Sequence, residues 1–82
     1  MLLVIVGVFD QALGAFARPA FVPSVGVALR GFSDEVNRPD SEMGKHPNDY
    51  SLFRLGTFDD DTGAFVNDSE RLALASQVLV KE

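Results

Sequence analysis

Residues 45–65 have the sequence KHPNDYSLFRLGTFDDDTGAF, which predicts a β-hairpin at the centre of the fold. Residues 50–58 are rich in aromatic and aliphatic side chains and lie between turn signals, as is typical of a strand. The polar run at residues 59–63 predicts the hairpin turn, because Gly63 can adopt positive φ without steric cost. We expect a return strand to begin at residues 64–66.

The two faces of the first hairpin strand follow from the alternation of side chains along an extended backbone. Gly56 interrupts the run and predicts a β-bulge, because glycine lacks a side chain to pack on the sheet. Alternation places Phe53 and Leu55 on one face and Leu52, Arg54 and Phe58 on the other.

A helix is expected upstream of the hairpin, between Ser24 and Pro39, with Arg30, Asp34 and Asn37 on its polar side. The Ser24 hydroxyl can accept a hydrogen bond from the first helical turn, and Pro39 prevents the helix from continuing. The apolar residues recur at spacings of four, three and four, which places them in one stripe suited to packing on a sheet. They are Val25, Leu29, Phe32 and Val36.

The N-terminal residues 2–9 (LLVIVGVF) predict a strand that is apolar on both faces. Residues 15–21 can pair back on it as a second strand, in which Pro19 restricts pairing to an edge or a bulge. Because so short a chain has few elements to cover both faces, we expect a homo-oligomer, most simply a dimer. The residues expected at its interface are Leu2, Val4, Val6 and Val8.

The remaining segments complete an α+β fold. Residues 40–49 are polar and irregular, with a turn at residues 46–49. A final helix is expected over residues 70–79, capped by Asp68 or Ser69, and a strand over residues 76–80 is the alternative. The order ββαββα predicts one domain, residues 1–82, with a mostly antiparallel sheet of about four strands, one central helix and a short C-terminal helix.

Composition narrows the class of protein. The chain is 46% hydrophobic and 23% charged, which is typical of a globular domain, and it has no cysteine to form disulfides or bind metal. The apolar run at residues 2–9 is shorter than the roughly 20 residues of a membrane-spanning helix. Arg18 is the first basic residue, so the positive region of a signal peptide is missing, and no contact with a membrane is expected.

Catalytic and metal-binding patterns are weak. His46 is the one histidine, and beside Asp49 it fits a turn better than an acid–base pair, so no enzyme activity is expected. The three carboxylates of residues 59–61 suggest a cation site, but the glycine of this loop does not match the EF-hand position. We therefore predict neither a metal nor a cofactor.

Nucleic-acid binding has a modest signal, because basic residues alternate with aromatic ones along the chain. The net charge of −5 opposes it, and the acidic excess lies entirely in residues 31–82. The alternative explanation is that the phenylalanines simply pack in the core, and both remain open. The candidate DNA-contacting residues are Arg18, Arg30, Arg38, Lys45, His46 and Arg54.

Two spaced motifs make the sequence similar to a known family. Residues 24–39 follow S-x-G-x-A-x-R-x-F-S-D-x-V-N-x-P, and residues 45–65 follow K-H-P-x-D-Y-x-L-F-x-L-G-x-F-D-D-x-T-G-x-F. Over residues 8–66 the chain resembles the small non-structural protein of gokushovirus-like single-stranded DNA phages, the Microviridae. Shorter matches upstream are Phe9-Asp10, Ala15-Phe16 and Arg18-Pro19-Ala20-Phe21.

The resemblance implies a role that the residues alone do not. It implies an accessory protein of viral DNA replication in the host bacterial cytoplasm, active in single-stranded genome synthesis and packaging. Such a protein would bind single-stranded DNA or the phage replication initiator. The alternative is an interaction or scaffolding module, with the initiator or a capsid precursor as partner, that does not contact DNA.

Overall fold

The computed structural model describes residues 1–80, which form a five-stranded antiparallel sheet with helices packed on one face. This architecture confirms the predicted α+β class. The strands are β1 (Leu2–Asp10), β2 (Ala15–Phe16), β3 (Ala20–Val22), β4 (Tyr50–Asp59) and β5 (Ala64–Leu74). The helices are α1 (Val25–Val36), α2 (Glu42–Lys45) and α3 (Ala75–Val78).

The sheet has the order β2-β1-β4-β5, and β3 also pairs with β1, on the edge that β2 occupies. The predicted second strand is therefore split into two short ones. The split falls around Pro19, which has no N–H group to donate to β1. Ala17 still donates its N–H to the carbonyl of Val8 over 2.8 Å, so the connection stays close to the sheet.

Helix α1 begins and ends close to the predicted positions. The Ser24 hydroxyl accepts a hydrogen bond from the Val27 N–H at 3.2 Å, and Asn37 forms the C-cap. Phe32 and Val36 are 4% and 1% exposed and form the centre of the core against the sheet. Of the apolar stripe read from the sequence, Phe32 and Val36 are buried and Leu29 packs beside them, while Val25 lies outside the core cluster and Ala28 belongs to it.

The core lies between α1 and the even-numbered side chains of β1. Val6 is 6% exposed and packs with Leu52 and Phe32, and Val4 and Val8 pack against this cluster. Val6 is thus part of the domain core, and Val4 and Val8 are half-buried beside it. Of the four residues expected at an oligomer interface, Leu2 alone is largely exposed, at 60%.

The predicted bulge is confirmed at Leu55 and Gly56. Pairing of β4 with β1 skips Leu55 between Arg54 and Gly56. The extra residue reverses the alternation of side chains beyond the bulge, so Phe58 lies on the same face as Phe53. The prediction that Phe58 shares a face with Leu52 is wrong.

The C-terminal prediction is wrong in its extent. Strand β5 pairs with β4 up to Leu74, where a helix over residues 70–79 was expected, and the helix is restricted to Ala75–Val78. The alternative strand over residues 76–80 is also wrong, because its first half is helical. Asp68 and Ser69 lie within β5 and cap nothing, and the irregular segment 40–49 contains the short helix α2.

Within residues 1–80, none of the helices has the length and apolarity needed to cross a membrane.

Candidate binding face

Most of the phenylalanines lie on the sheet face opposite α1. In β1 the even-numbered residues point to the core, so Leu3, Ile5 and Phe9 point to the other side. Registers with the neighbouring strands place six of the seven phenylalanines with them, and Phe32 alone packs under α1. We call this surface the phenylalanine face; its six rings belong to Phe9, Phe16, Phe21, Phe53, Phe58 and Phe65.

The six rings form two groups of three. In the body triad, Phe9, Phe16 and Phe53 have ring centroids 5.0, 5.3 and 6.3 Å apart. In the arm triad, which lies nearer the β4–β5 turn, the corresponding distances are 4.8, 5.5 and 6.2 Å. The arm triad consists of Phe21, Phe58 and Phe65, and five of the six ring pairs meet edge to face, an arrangement that aromatic side chains favour.

The phenylalanine face is open to solvent, because all three helices pack on the other side of the sheet. Phe16, Phe21 and Phe65 are 43%, 48% and 63% exposed. A monomeric protein rarely leaves so large a continuous apolar area uncovered unless the area binds something. The face is therefore the main candidate functional surface of the described chain.

A row of side chains crosses the sheet at the body triad. Phe16 pairs with Phe9 between β2 and β1, and Phe53 pairs with Gly7 on one side and Arg71 on the other. Gly7 has no side chain, and a Cβ there would lie 3.0 Å from Leu55 Cδ1. The glycine thus lets Leu55 close over β1, beside the rings.

Two arginines flank this row. Arg71 shares the face of Phe53, and Arg18 follows β2 at the opposite edge of the sheet, where it is exposed. Neither forms an ion pair with an acidic group in residues 1–80. Arg71 therefore borders one end of the row, and Arg18 lies at the other edge of the sheet, two residues beyond Phe16.

The other predicted DNA-contacting residues do not reach this face. Arg54 lies on the α1 side, where it binds Asp68 at 2.9 Å and Glu70 at 3.3 Å. Arg38 binds both oxygens of Glu35, at 3.1 and 2.8 Å. Arg30 on α1 and Lys45 and His46 at the end of α2 are exposed on the helical side.

Sequence reasoning misses Arg71 and Phe65 as surface residues of this face. Because a helix was expected over residues 70–79, the pairing of Arg71 with Phe53 could not be foreseen. The phenylalanine at position 65 is visible in the return strand, but the face it occupies depends on the register of the hairpin.

The motif residues around His46 have a structural explanation. The Asp49 N–H donates to the His46 carbonyl at 3.0 Å and closes the predicted turn. The Pro47 carbonyl accepts from Ser76 at 3.1 Å, which attaches α3 to this turn. His46 Nε2 lies 3.8 Å from a Glu42 carboxylate oxygen, and both side chains are exposed.

Asn37 and Ser41 fix the end of α1. Asn37 Nδ2 donates to the Ser33 and Val78 carbonyls at 2.9 and 3.0 Å, and its Oδ1 accepts from the Val80 N–H at 2.8 Å. Ser41 is 2% exposed and donates to Glu35. Hydrogen bonds from Arg38 and then Ser41 lower the pKa of Glu35.

The acidic turn of the hairpin brings its carboxylates together. Ligand oxygens of Asp59, Asp60 and Asp61 lie within 4.8 Å of one another. The Met1 ammonium donates to Asp60 at 2.6 Å and to Asp61 at 3.0 Å, and these hydrogen bonds raise its pKa. The turn keeps a net negative charge after this pairing.

Comparison with known proteins assigns the chain to a phage family. The family model described as "Phage ORF5 protein" matches residues 3–78, which include every helix and nearly all of every strand. The chain belongs to this phage ORF5 protein family. No curated protein and no solved structure gives a significant match. The phage origin implied by the motifs is thereby confirmed.

Proposed function

We propose that this phage protein is a non-enzymatic accessory factor in single-stranded genome synthesis, acting by binding single-stranded DNA on the body triad. The motifs of residues 24–39 and 45–65 support its placement in a gokushovirus-like microvirus, and hence in the host bacterial cytoplasm. The observation that carries the binding mode is the aromatic row, in which Phe16 is exposed and Phe9 and Phe53 are half-buried, with Arg71 beside Phe53 and Arg18 two residues beyond Phe16.

Single-strand binders combine two kinds of contact, and this row offers both. Bases stack on aromatic rings, which contributes about 1–3 kcal/mol per base, and arginines pair with phosphates. The row crosses four strands, each about 4.8 Å from the next, so it extends about 14 Å. A short stretch of nucleotides can therefore lie across β2, β1, β4 and β5 with its backbone between the two arginines.

Electrostatics makes this binding moderate in strength. The net charge of −5 repels DNA at long range, and only two cations border the row. Each phosphate contact to a single strand contributes about −0.7 to the slope of log affinity against log salt. Two contacts predict a slope of about −1.4, which is shallow because stacking supplies most of the affinity.

The test is fluorescence anisotropy of labelled oligo(dT) titrated with the full chain at low salt. Phe16→Leu keeps an apolar side chain but removes the stacking ring, and Arg71→Gln removes a phosphate contact. Each substitution alone should weaken binding about tenfold. Arg30→Gln removes an equal charge from the helical side and should leave binding unchanged. Wild-type protein that does not bind at low salt, or equal losses for Arg30→Gln and Arg71→Gln, would contradict the proposal.

A second candidate is an interaction module that binds the replication initiator or a capsid precursor and not DNA. The acidic hairpin turn and the exposed arm triad favour it. Co-purification of the tagged chain with the initiator, unchanged by nuclease and lost in Phe65→Ser, would support this function. Wild-type binding to oligo(dT) that depends on Phe16 and Arg71 would favour the first.

A further inference from the structure

The phenylalanine face has opposite charges at its two ends. Arg18 and Arg71 border the body triad, while the Asp60 and Asp61 side chains, 45% and 80% exposed, lie beyond the arm triad. Phe53 and Asp59 are six residues apart on β4, so the two ends are separated by about 20 Å. The face is thus apolar along its length, basic at one end and acidic at the other.

From this pattern we infer that two copies of the chain pack their phenylalanine faces together, antiparallel about a two-fold axis. In that arrangement the acidic turn of each copy lies over the Arg18–Arg71 end of its partner. A parallel arrangement would bring like charges together, which is unfavourable. The two-fold axis passes near the bulge at Leu55 and Gly56, about midway between the ends.

The area and shape of the face suit a second copy. Two exposed rings alone, Phe21 and Phe65, leave about half of the roughly 200 Å² of a phenylalanine accessible. With Phe16 exposed and Phe9, Phe53, Ile5 and Leu55 half-buried beside it, the face forms an apolar patch of several hundred Å², the size that marks an interaction surface. Two aligned sheets pack about 10 Å apart, which side chains from both faces fill.

Dimerisation blocks the DNA site, because the partner covers it. This step rests on the proposed function. The partner's Asp60 and Asp61 occupy the place that phosphates take beside Arg18 and Arg71, and the partner's rings cover the body triad. Single-stranded DNA and the second copy therefore compete for one surface. Free protein is held as a masked dimer, which single-stranded DNA opens into chain–DNA complexes.

The first test measures the mass of the full chain by sedimentation at micromolar concentration. Wild type should have twice the 8.9 kDa of one chain. Phe65→Ser should dissociate at about tenfold higher concentration than wild type. Val66→Ser is the matched control, because Val66 is similarly exposed, at 57% against 63%, but points to the other side of β5. An 8.9 kDa wild-type species, or equal effects of the two variants, would overturn the dimer.

The second test separates the dimer from the proposed function. Asp60→Asn with Asp61→Asn should weaken dimerisation and, by the same step, strengthen oligo(dT) binding several-fold. Asp34→Asn with Asp40→Asn changes the net charge equally elsewhere and should leave the dimer intact. If the Asp60 and Asp61 substitutions weaken the dimer, the control substitutions do not, and no variant binds oligo(dT), then the proposed function is refuted and the dimer is supported. A complex of DNA with the intact dimer would refute the competition.

Discussion

Asn37 joins the end of α1 to the C-terminal segment through three side-chain hydrogen bonds. Its amide has a donor and an acceptor side, and this geometry uses both: the carbonyls of Ser33 and Val78 accept, and the Val80 N–H donates. The asparagine in the D-x-V-N-x-P motif is therefore explained by folding. The same holds for Ser41, which caps α2 and donates to Glu35.

Replacement of Asn37 by alanine should destabilise the domain by about 1–2 kcal/mol, because the partly buried Ser33 and Val78 carbonyls lose a donor. The free energy of unfolding in urea measures the effect. Asn48→Ala is the control, since Asn48 is exposed and its side chain forms no hydrogen bond within residues 1–80. Equal stability of the two variants would show that the Asn37 contacts contribute little.

At the scale of elements, the bulge in β4 determines which residues reach the phenylalanine face. Gly56 has φ of 154°, a conformation that residues with a side chain rarely adopt, and a Cβ there would overlap the Val66 carbonyl oxygen. Leu55 is thereby left unpaired with β1, and Phe58 turns to the face of Phe53. One glycine thus aligns the arm triad with the body triad.

Gly56→Ala should destabilise the protein by about 2 kcal/mol or more, because both the strained backbone and the overlap must be relieved by moving β5. Thermal unfolding measures it. Gly31→Ala, on the exposed side of α1 with open space around it, should instead stabilise by about 0.5–1 kcal/mol. A Gly56→Ala protein as stable as wild type would contradict the role of the bulge.

The sequence predicts well what local chemistry determines. The Ser24 cap, the α1 stripe and the Asp-Asp-Asp-Thr-Gly turn are set by residues close in the chain. The end of β5 is not set by nearby residues. Leu72, Ala75 and Leu79 have helical spacing, but pairing with β4 keeps the residues up to Leu74 extended. The phenylalanine face depends on the bulge and on three strand registers, so it emerges only from the folded sheet.

The whole molecule has two layers, the helices and the sheet, and the helices cover one face of the sheet only. The helices cover the valine side of β1, and the side with the six rings remains open. That something covers the second face of β1 stays a prediction from the length of the chain. Of the residues expected at an interface, Val6 is buried on the side of α1, and Val4 and Val8 pack beside it. The distribution of charge along the open face then distinguishes its basic end, the proposed DNA site, from its acidic end.

The role of the phenylalanine face is tested most directly by an aromatic ¹H–¹³C NMR spectrum of phenylalanine-labelled protein, recorded on dilution and then with oligo(dT). We expect dilution to shift the signals of the rings on the phenylalanine face and oligo(dT) then to shift those of the body triad most. The Phe32 signal should change in neither step. Rings on the face that respond to neither dilution nor DNA, or a Phe32 signal that changes with them, would contradict the inference that this open face binds DNA and a second copy of the chain.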